Sequence, residues 1–526
     1  MRTSRLCLLV LLIGGLGSGA AAQGFNRRYD PIVPGNAQFA WGVEQLPSGD
    51  LLVIHNQLPW IDSLYYNSRT GSLVVDQYGG VLADSILHTP YVDAFPGWSN
   101  PADRLLDGSI IGGGATTDTN DLHRVLLYRF ASNGTPIGFT EIQPTPDDWI
   151  AYQCKRASDG GVVFTGVTDA TGFQDIFLLK TDSLGNVQWW QTYGHPTRLD
   201  YSASVDLAPD GGFYIGGFYP QTTTKYLQWV IRTDSVGNLI WQEFRGSLQD
   251  ESYTFNAAVL STSDSMVVYA SGLYSGGNDQ QTWPQLAKLD TAGNTIWDKT
   301  YGTAFFGTGF FAAAEVPGNH DLIACGQRYY QTMGGIPYSK GLLLRTNSQG
   351  DSLWMREYFY YDSLMTDGEG TLRDVQPTPD GGFVAVGAAY GSISGNNPPG
   401  LSQDVWVLKV DSMGCVQPGC HIITGIESQV TNLTDALHVY PNPVASGGNV
   451  TVAITLPEGL RQQPLRLSLI SADGRLVQEE MVSMERKDGA DTFSLPLPRS
   501  PLTPGIYMLH LSTPDTWLAA TKLVVQ

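Results

Sequence analysis

Residues 155–194 read KRASDGGVVFTGVTDATGFQDIFLLKTDSLGNVQWWQTYG, and residues 206–246 read DLAPDGGFYIGGFYPQTTTKYLQWVIRTDSVGNLIWQEFRG. Both stretches alternate apolar and polar residues, carry a DGG tripeptide, and continue into a D-S-x-G-N segment and a Trp-bearing run. Alternation with a period of two indicates strands, and Gly, Asp and Asn suit the tight turns between them. Each stretch therefore predicts four short antiparallel strands.

The same pattern recurs along most of the chain, with copies 51 to 64 residues apart. In each copy the DGG tripeptide marks the first turn, between the first and second strands, and the D-S-x-G-N segment marks the second turn, between the third and fourth strands. We assign the second-turn glycine of the copies to Gly71, Gly134, Gly185, Gly237, Gly293, Gly350 and Gly414. We assign the first-turn position to Gly49, Gly108, Gly160, Gly211, Asp264, Gly318 and Gly381. Seven copies of four strands predict an all-β fold, with a seven-bladed β-propeller over residues 23–420. The recurrent Trp of the last strand is expected to pack one blade against the next.

The spacing also predicts how the ring closes. Gly134 and Gly160 are 26 residues apart, and the same interval counted back from Gly49 reaches Gln23. The last copy ends after Gly414 without a Trp-bearing strand of its own. Residues 23–34 are therefore expected to supply the outer strand of the last blade, which would remove an open sheet edge.

The N-terminal residues 1–22 have the pattern of a signal peptide. Arg2 and Arg5 precede the apolar run 6–13, and a small-residue cleavage site lies at 20–22. The apolar run is too short for a transmembrane anchor. Export to an oxidising compartment favours a local disulfide between Cys415 and Cys420, whereas the other cysteines of the mature chain, Cys154 and Cys325, are expected to be buried thiols.

Beyond residues 421–435, which have the polar composition of a linker, residues 436–526 predict a small β-sandwich. Four short motifs in this block carry a family resemblance: Tyr440, Pro441, Asn442 and Pro443; Asp473 and Gly474; Gly505 and Tyr507; and Lys522 with the three residues that follow it. The block resembles the type IX secretion (Por) C-terminal sorting domain, and the repeats resemble those of exported bacteroidetal propeller proteins. The alternative is an ordinary carbohydrate-binding or fibronectin-like sandwich.

The resemblance implies passage through the outer-membrane type IX translocon and cleavage by a surface sortase. It implies a secreted protein or one attached to the outer cell surface, and it leaves open whether lipopolysaccharide holds it there. The formal charge of −20 argues against a nucleic-acid partner.

The longer connections of the repeats lie at the strand ends opposite the short turns, and they are rich in aromatic residues. We predict that they contact glycan or peptide, because amphipathic rings suit such ligands. The alternative is that these rings only cap the blade edges. The candidates are Tyr219, Tyr274, Trp283, Tyr329, Tyr330, Tyr338 and Tyr390.

Acidic residues precede three of the inner strands: Asp148, Asp200 and Glu251. Together they would form a partial carboxylate ring that could hold Ca²⁺ or a cationic ligand. The simpler interpretation is that each accepts a hydrogen bond from a backbone N–H. No catalytic or metal-binding motif is recognisable, so the sequence favours a non-catalytic binding or scaffold protein. The alternative is a glycan-active hydrolase or lyase that uses an acidic pair near these residues.

Overall fold

The computed structural model describes residues 24–29, 37–58, 68–87, 93–98, 102–222, 226–246, 257–275, 281–303, 305–331, 337–360, 369–391, 402–416, 420, 437–454, 465–471, 476–482, 485–487, 490–498, 502–512 and 517–526. The regular elements of these residues are strands, so the all-β prediction is confirmed. The chain divides into two compact units, residues 1–417 and 418–526. The predicted signal peptide and the linker 421–435 lie outside the described residues.

The first four antiparallel sheets of the first unit follow one another along the chain. Sheet 1 contains β2 (Ala37–Gln45), β3 (Leu51–Leu58), β4 (Arg69–Val75) and β5 (Val81–Ile86). Sheet 2 contains β6 (Asp93–Pro96), β7 (Ala102–Arg104), β8 (Ile110–Thr117), β9 (His123–Phe130) and β10 (Pro136–Ile142). Sheet 3 contains β11 (Trp149–Arg156), β12 (Val162–Thr168), β13 (Asp175–Thr181) and β14 (Val187–Tyr193). Sheet 4 contains β15 (Tyr201–Leu207), β16 (Phe213–Pro220), β17 (Tyr226–Thr233) and β18 (Leu239–Arg245).

Three more sheets complete the described part of this unit. Sheet 5 contains β19 (Ala258–Ser261), β20 (Val267–Ser275), β21 (Gln281–Leu289), β22 (Thr295–Thr300) and the short β23 (Phe305–Phe306). Sheet 6 contains β24 (Gly309–Glu315), β25 (Leu322–Gln331), β26 (Pro337–Thr346) and β27 (Ser352–Tyr358). Sheet 7 contains β28 (Glu369–Pro377), β29 (Phe383–Gly391) and β30 (Ser402–Val410), with the N-terminal β1 (Phe25–Tyr29) paired antiparallel to β30.

Two kinds of tight turn shape every one of these sheets at one end. In the turn between the third and fourth strands of sheet 3, Asp182 Oδ1 accepts the N–H groups of Leu184 (2.8 Å) and Asn186 (2.9 Å). The Asn186 amide donates to Asp182 Oδ2 at 2.7 Å. Gly185 takes φ 94°, a conformation that favours glycine. This chemistry explains why Asp, Gly and Asn recur at fixed spacing.

Two of the predicted turn positions are wrong. Gly71 lies inside β4, and the turn of sheet 1 is formed instead around Gly79, which has φ 82°. A Cβ on Gly71 would lie 2.4 Å from Cε1 of His55, so this glycine makes room for the buried imidazole. In sheet 5, Ser265 (φ 68°), not Asp264, occupies the first-turn position, and its N–H donates to the Thr262 carbonyl at 2.9 Å.

Asp264 has a different role, which most of the sheets share. A cation from the third strand reaches the aspartate beside the first turn of its own sheet. Lys180 Nζ lies 2.9 Å from Asp159, and Lys288 Nζ lies 2.7 Å from Asp264. The same pairing joins Arg232 to Asp210, Arg345 to Asp321, and Lys409 to Asp380. The lysine and arginine side chains are largely buried, so the turn carboxylate compensates a charge that would be costly alone.

Apolar side chains fill the spaces between neighbouring sheets. Core clusters join sheet 1 to sheet 2, each later sheet to the next, and sheet 7 to sheet 1. The fourth strands add hydrogen bonds to the following sheet. Trp241 Nε1 donates to the Thr291 carbonyl (2.8 Å), and Trp354 Nε1 donates to the Ser412 carbonyl (3.0 Å). The recurrent Trp thus packs between sheets, as the sequence predicts.

The second unit contains two further four-stranded sheets. Sheet 8 contains β31 (Leu437–Tyr440), β32 (Asn449–Ile454), β35 (Glu485–Lys487) and β36 (Ala490–Pro496). Sheet 9 contains β33 (Leu465–Ser471), β34 (Leu476–Val482), β37 (Gly505–Ser512) and β38 (Trp517–Val525). One core cluster includes side chains from both sheets, among them Val452 and Leu495 of sheet 8 and Leu467 and Leu509 of sheet 9.

Candidate functional site

The connections between the second and third strands of a sheet, and from its fourth strand to the next sheet, leave the end opposite the tight turns. We call this the loop end of a sheet. At sheets 3 and 4, the connection 194–200 is tied to the loop 169–174. Asp200 N donates to the Gln174 carbonyl (2.8 Å), and Gln174 Nε2 donates to the Asp200 carbonyl (2.9 Å). These bonds hold two loops together where sheet 3 meets sheet 4.

Two acidic side chains meet beneath this connection. Asp200 is fully buried and Asp175, the first residue of β13, is 9% exposed. Asp200 Oδ2 accepts the N–H of His195 at 2.6 Å, and Thr171 Oγ1 donates to Asp175 Oδ2. Burial, with a smaller contribution from the Asp175 charge, raises the pKa of Asp200 to about 7, and burial also raises the pKa of Asp175.

Aromatic rings lie beside the same connection. The Tyr219 cluster comprises His195, Tyr219, Trp229 and Phe244. The Tyr219 ring centroid is 5.5 Å from His195, 5.2 Å from Trp229 and 4.6 Å from Phe244. Trp229 is buried, whereas Phe244 is 37% exposed. The cluster therefore presents aromatic edges to solvent on a rigid, stacked base.

A basic side chain flanks the cluster. Arg198 Nη1 donates to the Pro220 carbonyl at 3.1 Å and also to the Gln221 carbonyl. This contact links the connection 194–200 to the loop that follows β16. Tyr219, Asp200 and the connection between sheets 3 and 4 are thus brought together, and His195, Arg198 and Asp175 join them. No local sequence pattern marks the last three residues, because their partners in the cluster come from other loops and strands.

The other predicted aromatics lie at different sheets. Tyr330, on β25, lies with its ring centroid 5.3 Å from the Arg328 guanidinium and 5.0 Å from Lys340 Nζ, and its hydroxyl donates to Glu357. Tyr329 lies against Gly307. Trp283, on β21, is half-buried. These residues do not contribute to the Tyr219 cluster.

Some predicted residues cannot be placed in this way. The side chains of Tyr274, Tyr338 and Tyr390 lie outside the described part of the chain, and Glu251 lies outside it altogether. Asp148 precedes β11 as expected, and its Oδ1 accepts the N–H of His123 at 2.8 Å, while its own N–H donates to Asp169 at 2.9 Å. Both Asp148 and Asp200 thus bond backbone N–H groups. Within the described ranges, no three metal-ligating acidic, His or Cys side chains lie together.

A second polar region follows the first strands of sheets 3 to 6. A small cavity there is lined by Gln153, Lys155, Ser204, Asp206 and Phe311, among others. Burial alone would lower the pKa of Lys155, but nearby carboxylates raise it above its ordinary value: Asp103, Asp206, Glu44 and Asp374. Burial raises the pKa of Glu44 to about 7 and that of Asp374 to about 6.

This charged set was not predicted, although a signal exists. Glu44, Asp103, Lys155 and Asp206 each stand five residues before a first-turn glycine. Some of the carboxylates bridge neighbouring first strands, since Asp374 accepts the N–H of Val43 at 2.9 Å and Asp206 accepts that of Ser261 at 2.7 Å. The set therefore joins sheets and balances one lysine against several carboxylates.

The C-terminal motifs converge in the second unit. The Asn442 amide donates to the Lys522 carbonyl (2.6 Å), and its Oδ1 accepts the N–H of Val524 (2.9 Å). The peptide bonds before Pro441 and Pro443 are cis. Tyr507 is buried, and its hydroxyl donates to the Thr503 carbonyl at 2.9 Å. Gly505 opens β37 opposite Val525, and Tyr440 is 50% exposed. Asp473 and Gly474 lie outside the described residues.

The cysteines fall into two groups. Cys415 and Cys420 are disulfide-bonded. Cys154 and Cys325 are buried thiols, and burial raises the pKa of both well above the ordinary range. Neither thiol is therefore suited to act as a nucleophile at neutral pH.

Residues 438–526 match the family model described as a secretion system C-terminal sorting domain. The chain thus carries a type IX secretion sorting domain at its C-terminus, and the sorting domain predicted from the motifs is confirmed. Such a domain directs a protein to the cell surface or the medium through the secretion machinery. None of the described segments forms an apolar helix of membrane-spanning length.

Solved structures resemble the chain only distantly. A protein of unknown function from Dyadobacter fermentans matches with 12% identity over 73% of this chain and 99% of its own, at a TM-score of 0.41. PorZ, a surface component of the type IX secretion system of Porphyromonas gingivalis, matches with 12% identity over 91% of this chain and 68% of its own, at a TM-score of 0.35. An α-L-arabinofuranosidase of Fusarium graminearum matches with 9% identity over 62% of this chain and 97% of its own, at 0.38. Comparison with curated proteins finds no match.

Proposed function

We propose that the chain is a non-catalytic binding or scaffold protein, exported by the type IX system, which contacts glycan or peptide through the loop ends of its sheets. The Tyr219 cluster carries this proposal. Stacked rings with one exposed edge bind the apolar face of a sugar or a peptide side chain with little loss of side-chain entropy. Loops on a rigid β scaffold are also where binding residues concentrate.

We propose the following architecture for this protein. Sheets 1 to 7 are the blades of one closed propeller over residues 23–420, and residues 23–34 complete the last blade. The cyclic order of the core clusters supports closure, as does the pairing of Phe25 with Lys409 and of Tyr29 with Val405. Residues 1–22 are a signal peptide, 421–435 a linker, and 436–526 a detachable β-sandwich with the sorting signal.

The binding proposal is tested with a glycan array and a depolymerisation assay on the exported protein. Binding without turnover is expected, and Phe244→Ala and Tyr219→Ala should weaken it by about tenfold or more, as for aromatic hot spots. Tyr78→Ala is the matched control, because Tyr78 is 54% exposed in a tight turn at the opposite end of its sheet. Equal loss in the control, or no loss in either cluster variant, contradicts the proposal.

The acidic pair supports a second candidate, a glycan-active hydrolase or lyase. A carboxyl with a pKa near 7 is suited to act as a general acid. Asp200, however, is fully buried and already bonded to a backbone N–H, which favours a structural role. Turnover that Asp200→Asn abolishes while binding persists would establish the enzyme.

The predicted Ca²⁺ site at Asp148, Asp200 and Glu251 is tested by calcium titration of the same protein.

A further inference from the structure

Asp175 lies on β13 of sheet 3 and Asp200 in the connection to sheet 4, but both side chains lie beside Gly194. A Cβ on Gly194 would lie 1.9 Å from Asp175 Oδ1 and 2.9 Å from Asp200 Oδ2. Both side chains are more than nine-tenths buried. Because both oxygens lie so close to one point, they are within about 5 Å of each other. Two carboxylates this close and shielded from water repel each other if both are ionised.

Each carboxyl also has an oxygen without a partner. Asp175 Oδ1 and Asp200 Oδ1 are buried and accept no hydrogen bond in the structure. The other oxygens are occupied, by Thr171 on Asp175 and by the His195 N–H on Asp200. A buried oxygen that carries charge and lacks a donor costs free energy, so the pair as two anions is unfavourable.

The neighbouring charged groups do not supply the missing positive charge. The Arg198 guanidinium is bonded to the carbonyls of Pro220 and Gln221. The His195 ring faces Tyr219, and its Nδ1 accepts the N–H of Thr197 at 3.2 Å. Asp169, at the start of the loop 169–174, accepts the N–H of Asp148 at 2.9 Å and is itself acidic.

Sheet 7 has a buried aspartate at the equivalent position, but a positive charge compensates it. Asp175 stands seven residues before the turn aspartate Asp182, and Asp404 stands seven before the equivalent Asp411. Asp404 is also buried, but Arg28 of β1 forms an ion pair with it. At the same position in the fold, one carboxyl is therefore balanced by a guanidinium and the other faces a second carboxyl.

We propose that Asp175 and Asp200 share one proton, and that loss of this proton loosens the connection 194–200 on which His195 and Arg198 lie. The pair thus acts as a pH-sensitive clasp between sheets 3 and 4. This clasp operates in the free protein, whether or not the loop ends bind a ligand.

The direction of the pH effect follows from linkage. The pKa of Asp200 is raised by burial to about 7 in the folded protein, and its ordinary value is near 4. The folded state therefore holds the proton more tightly than the unfolded state. The stabilisation is complete below about pH 4 and is lost as the pH rises through about 7.

The test compares the full chain with Asp200→Asn and with Asp404→Asn at pH 5 and pH 8. Asparagine at 200 copies the neutral acid, because its oxygen can still accept the N–H of His195 and its amide places no charge beside Asp175. We expect Asp200→Asn to melt like the wild type at pH 5 and at a higher temperature at pH 8. Asp404→Asn, which removes the partner of Arg28, should lower the melting temperature at both pH values.

Hydrogen exchange provides a second measurement that does not depend on unfolding. Amides of residues 194–200 should exchange faster at pH 8 than at pH 5 in the wild type, after correction for the intrinsic rate, and equally in Asp200→Asn. Identical pH profiles of wild type and Asp200→Asn would overturn the proposal. Stabilisation by Ca²⁺ at pH 8 that Asp200→Asn abolishes would overturn it too, because a metal ion would then occupy the place of the proton.

Discussion

At the scale of single residues, the repeat is stabilised by an ion pair that involves the aspartate of its DGG tripeptide. The aspartate of the DGG tripeptide is readily explained by turn chemistry, yet its second role is to meet a cation from the third strand. Lys180 Nζ donates to Asp159, to the Thr181 carbonyl and to Gln188, each at 2.9 Å. The signal is the Lys or Arg two residues before the second turn, present in sheets 2 to 7 and replaced by Val74 in sheet 1.

The two partners of this pair should respond unequally to substitution. Asp159→Ala leaves the buried Lys180 ammonium without its carboxylate and should lower the free energy of unfolding by about 1.5–3 kcal/mol. Lys180→Met should cost less, because Asp159 is mostly exposed and water can solvate it. Denaturant unfolding measures both. Ser48→Ala, at the equivalent position of sheet 1, is the control and should change stability by less than about 0.5 kcal/mol; a control loss as large as that of Asp159→Ala would contradict the pairing argument.

The buried His55 should also make the free energy of unfolding depend on pH in the acid range. Burial lowers the pKa of His55 to about 4, and its Nδ1 contacts the Asn56 carbonyl at 3.3 Å. Because the folded pKa lies below the ordinary value, the stability is complete above about pH 6.5 and is lost as the pH falls through about 4. His55→Gln should remove a loss of roughly 3 kcal/mol between pH 7 and pH 4. Urea unfolding at the two pH values measures it, and an unchanged acid slope in the variant would refute it.

At the scale of elements, β1 is the strand whose partner is farthest away in the chain. It pairs with β30 in register from Phe25 with Lys409 to Tyr29 with Val405. The Tyr29 hydroxyl donates to the Gly79 carbonyl at 2.8 Å. Tyr301 of sheet 5 and Tyr358 of sheet 6 bond the turn glycine of the following sheet in the same way. β1 thus makes the contacts of a fourth strand for sheet 7.

Removal of β1 should therefore weaken the first unit as a whole. A chain that begins at Gly35 loses the buried side chains of Phe25 and Tyr29, each worth about 1.5–3 kcal/mol, and exposes the edge of β30. A lower melting temperature and self-association are expected, measured by calorimetry and light scattering. Tyr29→Phe is the control for the hydroxyl alone and should cost about 1 kcal/mol. If the truncated chain melts like the full one, closure by β1 is wrong.

At the scale of the whole molecule, the sorting domain lies in the second unit, so we expect export to depend on that unit. Asn442 ties the segment after β31 to the C-terminal strand β38 through Lys522 and Val524. The motifs at both ends of the sorting domain are therefore parts of one local structure. A chain truncated before Leu437 should accumulate in the periplasm, as fractionation and immunoblotting would reveal. Surface material should begin at Gln23 and lack most of the residues after Asp435; surface protein that keeps them would indicate a resident domain.

The sequence by itself determined the strand content, most of the tight turns and the sorting domain, because these depend on alternation over a few residues and on the turn chemistry of Asp, Gly and Asn. The same reasoning failed at Gly71 and Asp264, where the spacing of the motif shifts. The first needs to lack a Cβ beside His55, and the second needs a carboxylate beside Lys288.

Only the tertiary structure decided which charged and aromatic groups meet. Asp175 and Asp200 are separated by 25 residues, and nothing in the local sequence indicates that one side chain lies beside the other. Lys155 is balanced by carboxylates from sheets 1, 2, 4 and 7. The strength of such contacts depends on distance and on exclusion of water, and packing between sheets sets both.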